Sequence, residues 1–120
     1  MPNHTVQFTV SLAIHEGKHD AFEAIAQTMS TRTQQEPAAL AYEFYLSLDR
    51  TQCRLVERYA DADAVLAHMT GPVVQEFVPK MLEVSTLTGF EVYGDPGPEA
   101  AKILAAVGAQ IYSSWRGFSR

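Results

Sequence analysis

The chain has 120 residues, a net charge of −5 and a pI near 5.2. That length makes one domain, able to bury roughly 65% of the surface its unfolded chain would expose. The acidic balance and the scattered Lys and Arg argue against a nucleic-acid or anionic-membrane surface, since either needs clustered positive charge.

The single cysteine, Cys53, excludes an internal disulfide and reads as a small core residue inside an apolar run. The opening residues, MPNHTVQFT, carry neither a basic segment nor an apolar run, and no stretch approaches the roughly 20 residues of a membrane span. The expectation is a cytoplasmic, reduced protein in which the Asn3-His4-Thr5 sequon has no meaning.

In chain order, Thr5 to Ile14 alternates: Val6, Phe8, Val10, Leu12 and Ile14 share one face, Gln7, Thr9 and Ser11 the other. This predicts a strand with one buried face. HEGKH turns the chain. Phe22, Ile25, Ala26 and Met29 then follow helical spacing, predicting an amphipathic helix over 18–35 that Pro37 ends. Leu40 to Leu48 is a second strand with aromatics on both faces. A polar turn over 49–52 leads antiparallel into a third strand, Cys53 to Tyr59. Asp61 is a good N-cap for a short helix reaching Met69. Gly71-Pro72 restarts a helix that Pro79 should kink or shorten. Val84 to Tyr93 is a fourth strand. The order β-α-β-β-α-β predicts an α+β, ferredoxin-like fold with helices on one face of an antiparallel sheet. Residues 1–94 form this unit. Residues 95–120 extend the same single domain with a helix that Gly108 can cap and an extended run from Gln110 to Phe118.

Two motifs call for chemistry. His15-Glu16-Gly17-Lys18-His19 matches HExxH, but a strand ends at Ile14 and Gly17 would weaken a helix. It reads as a strand-to-helix turn, with no metal expected. The second is the stretch from Leu55 to His68. Leu55, Glu57 and Tyr59 share one strand face, so a carboxylate stands among apolar neighbours. Such a group is paired, solvated in a cleft or raised in pKa. It is either a structural ion-pair member or the partner that orients His68, at the end of the next helix. The aromatics, Tyr42, Phe44, Tyr45, Tyr59, Phe90, Tyr93 and Trp115, suit a pocket, a core or an interface alike. A sheet face carrying Phe and Tyr would need cover, which predicts a homodimer with two sheets facing each other.

The residues from the first strand to the fourth, roughly 5–94, resemble the antibiotic biosynthesis monooxygenase family of dimeric α/β-barrel proteins. The resemblance rests on Glu16-Gly17-Lys18 leading to Phe22, on Tyr42-Glu43-Phe44-Tyr45, on Leu55-Val56-Glu57-Arg58-Tyr59, and on Asp61, Ala64, His68 and Phe77. The family pattern is a strand E-x-W, an acidic helix start and a histidine. Glu57 and His68 match it, and Tyr59 stands where the family usually has Trp. The resemblance implies a protomer that dimerises through its open sheet face. Family enzymes include monooxygenases that oxidise polycyclic aromatic phenols with oxygen and no metal or flavin. The family and its near relatives also include haem-degrading enzymes, isomerases and members without known activity.

Two functions follow. One is a cofactor-independent monooxygenase of a small aromatic phenol or quinol. His68 would be its base or proton shuttle, Glu57 the orienting partner, and Tyr42, Tyr59 and Trp115 the substrate-binding walls. The other is a non-enzymatic dimeric module that binds a small hydrophobic or aromatic ligand, with Glu57 and His68 as a structural pair.

Overall fold

The computed structural model describes residues 4–120, so Asn3 of the sequon lies outside the described residues. The elements run β1 (Val6–Ile14), α1 (His19–Thr33), β2 (Ala39–Leu46), β3 (Gln52–Tyr59), α2 (Ala62–Thr70), α3 (Pro72–Val84), β4 (Ser85–Tyr93), α4 (Pro98–Ala106) and β5 (Gln110–Tyr112). The strand order β2-β3-β1-β4-β5 is that of an α+β, ferredoxin-like sheet with one added edge strand.

β1 shows why the core sits where it does. Its odd-even alternation buries Val6, Phe8, Val10, Leu12 and Ile14 and leaves the residues between them half-buried. Each such side chain contributes about 1.5–3 kcal/mol through the water it sheds. Phe22, Ala26 and Met29 of α1, Val65 and Met69 of α2, and Val73, Phe77 and Met81 of α3 meet them from above.

Two register irregularities decide which aromatics face inward. In β2, Ala39 pairs with Tyr59, Ala41 with Arg58 and Tyr42 with Glu57, so one extra residue lies opposite Arg58. This bulge turns Tyr42 and Phe44 toward the helices and Tyr45 outward, which settles the ambiguity of a strand with aromatics on both faces. In β4 a second bulge lets both Leu87 and Phe90 face inward, opposite Leu12 and Val10. The open face carries Gln7, Thr9, Ser11, Glu43, Arg54, Arg58 and Glu91, with Tyr45 and Tyr93. The phenylalanines Phe8, Phe44 and Phe90 lie on the covered side, so the open face is more polar than the sequence pattern suggested.

The sheet is mixed rather than wholly antiparallel, because β5 joins β4 in parallel. A parallel neighbour needs a long crossover, and the turn at Gly94 followed by α4 supplies it. Gly94 has φ +111°, and a Cβ there would lie 2.8 Å from the Thr5 carbonyl oxygen. The extended run stops at Tyr112, shorter than its expected reach to Phe118. α3 is not cut at Pro79. Its missing N–H falls opposite Gln75, and both residues are exposed, so water can serve the freed carbonyl. Gly71 separates α2 from α3; a Cβ there would lie 2.8 Å from the Ala67 carbonyl oxygen.

Candidate active site

β3 presents Leu55, Glu57 and Tyr59 to the helices, all buried. Glu57 lies between Phe8 of β1 and Tyr42 of β2 in the pairing register. The chain then leaves the sheet and starts α2, where the Asp61 carboxylate accepts the Ala64 N–H at 2.9 Å. Helical spacing from that cap puts Val65, His68 and Met69 on the inward side. His68 is therefore held directly over Glu57 and Tyr59.

The Tyr59 hydroxyl donates to Glu57 Oε1. His68 Nε2 stands 3.6 Å from the same oxygen, an ion-pair distance beyond hydrogen-bond range. On the other side of the ring, Nδ1 meets both oxygens of Glu36, at 2.9 and 3.2 Å. The imidazole packs on Tyr59, with ring centroids 5.0 Å apart, and on Tyr42 at 5.9 Å. Burial pushes the Glu57 carboxyl above its usual range, against the pull of His68 and the Tyr59 hydrogen bond. Burial and the adjacent Glu57 charge raise both Tyr59 and Tyr42, so both phenols stay protonated and serve as donors. Burial also lifts the Cys53 thiol to about 11, consistent with an inert core residue.

Glu57, His68 and Tyr42 open onto a cavity of about 150 Å³ between sheet and helices. Its floor is Phe8, Val10, Leu55 and Phe90, and its roof is Met69, Val78 and Met81. Leu82 and Val107, both partly exposed, stand at its outer side. No Lys or Arg lines it. The arrangement can take up or release a proton at one end of an apolar space, where low dielectric strengthens each polar contact.

Of the residues singled out in the sequence, Glu57, His68 and Tyr42 meet at this cavity. Tyr59 lies behind Glu57 and holds it without lining the space. Trp115 is not brought there. It is 85% exposed, because the chain leaves the sheet from the edge strand β5, three strands away from β3. Glu36 had no sequence signal beyond ending a helix before Pro37, yet it makes the closest contact to His68. The HEGKH stretch is a turn as expected, with His15 Nε2 2.8 Å from the Thr86 hydroxyl and His19 opening α1. Among the described residues no group of three or more His, Cys, Asp or Glu is placed to hold a metal ion. No helix among them is long and apolar enough to cross a membrane.

The family model described as antibiotic biosynthesis monooxygenase matches residues 5–80, which spans β1 through most of α3 and so every polar residue of the site. The chain belongs to the antibiotic biosynthesis monooxygenase family. Among solved structures, MupZ from Pseudomonas fluorescens is 26% identical, with a TM-score of 0.83 over 98% of this chain and 96% of its own. That superposition takes in α4 and β5, which lie beyond the family match. A candidate antibiotic biosynthesis monooxygenase from Nitrosomonas europaea is 18% identical, with a TM-score of 0.69 over 82% of this chain and 96% of its own. Rv0793 from Mycobacterium tuberculosis is 23% identical, with a TM-score of 0.67 over 78% and 97%. At those identities the last two speak for the fold alone. No protein of curated function shows significant sequence similarity to the chain.

Proposed function

We propose that this family member is a cofactor-independent monooxygenase of a small aromatic phenol or quinol. The observation that carries the reading is a buried carboxyl and imidazole, Glu57 and His68, at one end of an otherwise apolar cavity. An apolar space of about 150 Å³ holds a single benzene-sized ring. A larger substrate would place one ring there and extend past Leu82 and Val107. The phenol hydroxyl would face Glu57 and His68, the polar end that can take its proton. The resulting electron-rich ring carbon adds oxygen, the Tyr42 hydroxyl donates to the peroxide, and water leaves. The balance is SH₂ + O₂ → SO + H₂O, with no external reductant.

The same reading includes a homodimer formed through the open sheet face. Val56, on the middle of that face, is half-buried, and Tyr45 beside it is exposed.

The test is oxygen uptake with a panel of anthrones, naphthols and quinols. The wild type is expected to turn over at least one, and His68→Ala to lose about 10²-fold or more, the usual share of a side chain that moves a proton in the transition state. Equal, near-zero rates for both proteins across the panel would overturn the reading and leave a ligand-binding module.

A further inference from the structure

His68 touches the apolar cavity with one side of its ring and Glu36 with the other. On its inner side is the apolar cavity, which it lines together with Glu57. Glu36 in turn lines a surface recess beside α2, together with Ala38, Ala39, Ala64, Ala67 and Gly71. The Glu36 side chain is 33% exposed, whereas those of His68 and Glu57 are 2% and 6% exposed. The three groups therefore run from water to cavity in the order Glu36, His68, Glu57.

The distances give this line a direction. An ionised carboxylate has no proton to donate, so the short contacts from Glu36 to Nδ1 need the proton on Nδ1. Nε2 is then the atom presented to Glu57. Its 3.6 Å separation from Oε1 becomes a hydrogen bond after a shift of about half an ångström. The remaining polar groups at the ring are the phenols of Tyr42 and Tyr59. Arg32, on the recess, is engaged with Glu76 at 3.3 Å.

We propose that Glu36 is a positioning residue: it fixes the Nδ1–H form of His68 and makes Glu36–His68–Glu57 a proton path between the cavity and water. The path rests on the proton-moving role proposed above; the tautomer does not. Glu57 takes the proton of the bound hydroxyl and passes a proton to Nε2. The imidazolium releases its Nδ1 proton to Glu36, which gives it to water. When the oxygenated intermediate loses water, one proton returns along the same line and the ring regains its starting form. One proton leaves and one comes back, so the overall balance is unchanged.

The deciding experiment is long-range ¹H–¹⁵N correlation of the histidine rings in the full chain, with pH raised until the His68 ring is neutral. In the wild type the remaining proton is expected on Nδ1. In Glu36→Ala it moves to Nε2, facing Glu57. In Glu36→Gln the amide oxygen still accepts, so Nδ1–H persists although the side chain can no longer carry the proton. On any substrate found by oxygen uptake, Glu36→Gln should lower kcat about 10-fold with KM little changed, and formate should restore Glu36→Ala. A wild-type proton on Nε2, or an unchanged tautomer in Glu36→Ala, overturns the positioning role. Full kcat in Glu36→Gln overturns the path. If no substrate is turned over, the monooxygenase reading and the path fall together, and the tautomer still decides what Glu36 does.

Discussion

Tyr59→Phe removes one oxygen from the interior and tests whether Glu57 is a buried acid with a required donor. Tyr59 is 0% exposed, and its ring packs 5.3 Å from that of Phe8, a contact the phenylalanine would keep. What is lost is the hydroxyl donated to Glu57. While Glu57 is protonated that bond is neutral and is worth about 1 kcal/mol. Once Glu57 ionises it is charge-assisted and is worth about 1.5–3 kcal/mol. A 120-residue chain has an unfolding entropy near 0.25 kcal/mol/K, so about 1 kcal/mol corresponds to roughly 4 °C in Tm. The expected loss is therefore about 4 °C at pH 4 and about 6–12 °C at high pH, read by differential scanning calorimetry. The sign follows from the hydrogen bond favouring the charged form of Glu57, so removing it penalises that form alone. A loss below about 1 °C at both pH values would refute the reasoning, as would a loss that shrinks as pH rises.

Three further outcomes follow from the same geometry. Burial raises the folded-state pKa of Glu57, so its contribution to stability is full below the usual value near 4.5 and is lost as pH rises through the raised value. Glu57→Gln should thus gain Tm relative to wild type as pH increases from about 4; a difference that stays flat or narrows with pH would contradict this. Val10 lies on the cavity floor, and Val10→Phe puts a ring into the space. Naphthol binding, followed by fluorescence, should weaken by about 10-fold or more with the circular dichroism spectrum retained, and undiminished binding would place the ligand elsewhere. Val56→Lys sets a charge on the open sheet face. Sedimentation should show wild-type dimers and variant monomers of about 13 kDa, and a monomeric wild type would remove the dimer from the account.

Much of the fold was legible because its strands alternate cleanly. β1 gave its buried face residue by residue, and Asp61 marked the start of α2 by its capping chemistry. The two bulges were not legible. Opposite Arg58, one extra residue decides which side of β2 Tyr42 occupies, and pairing register is a property of two strands rather than one. The parallel edge strand was hidden for a related reason: three residues, Gln110–Tyr112, form it only because α4 returns the chain to β4. Within the site, Glu57 stood out as a carboxylate among apolar neighbours, and His68 as a histidine at the end of a short helix. Glu36 did not, since its partner lies 32 residues away and nothing local distinguishes it from any other polar helix end.

In the proposed reaction Glu57 and His68 move a proton so that a phenol bound in the apolar cavity reacts with oxygen. The measurement that meets it most directly is mass spectrometry of the product formed under ¹⁸O₂ from a substrate of the oxygen-uptake panel. One ¹⁸O atom is expected in the product and the other in water, with product from His68→Ala lower by about 10²-fold or more. A product that carries no ¹⁸O, its new oxygen having come from water, or a product formed equally well by His68→Ala, would contradict it.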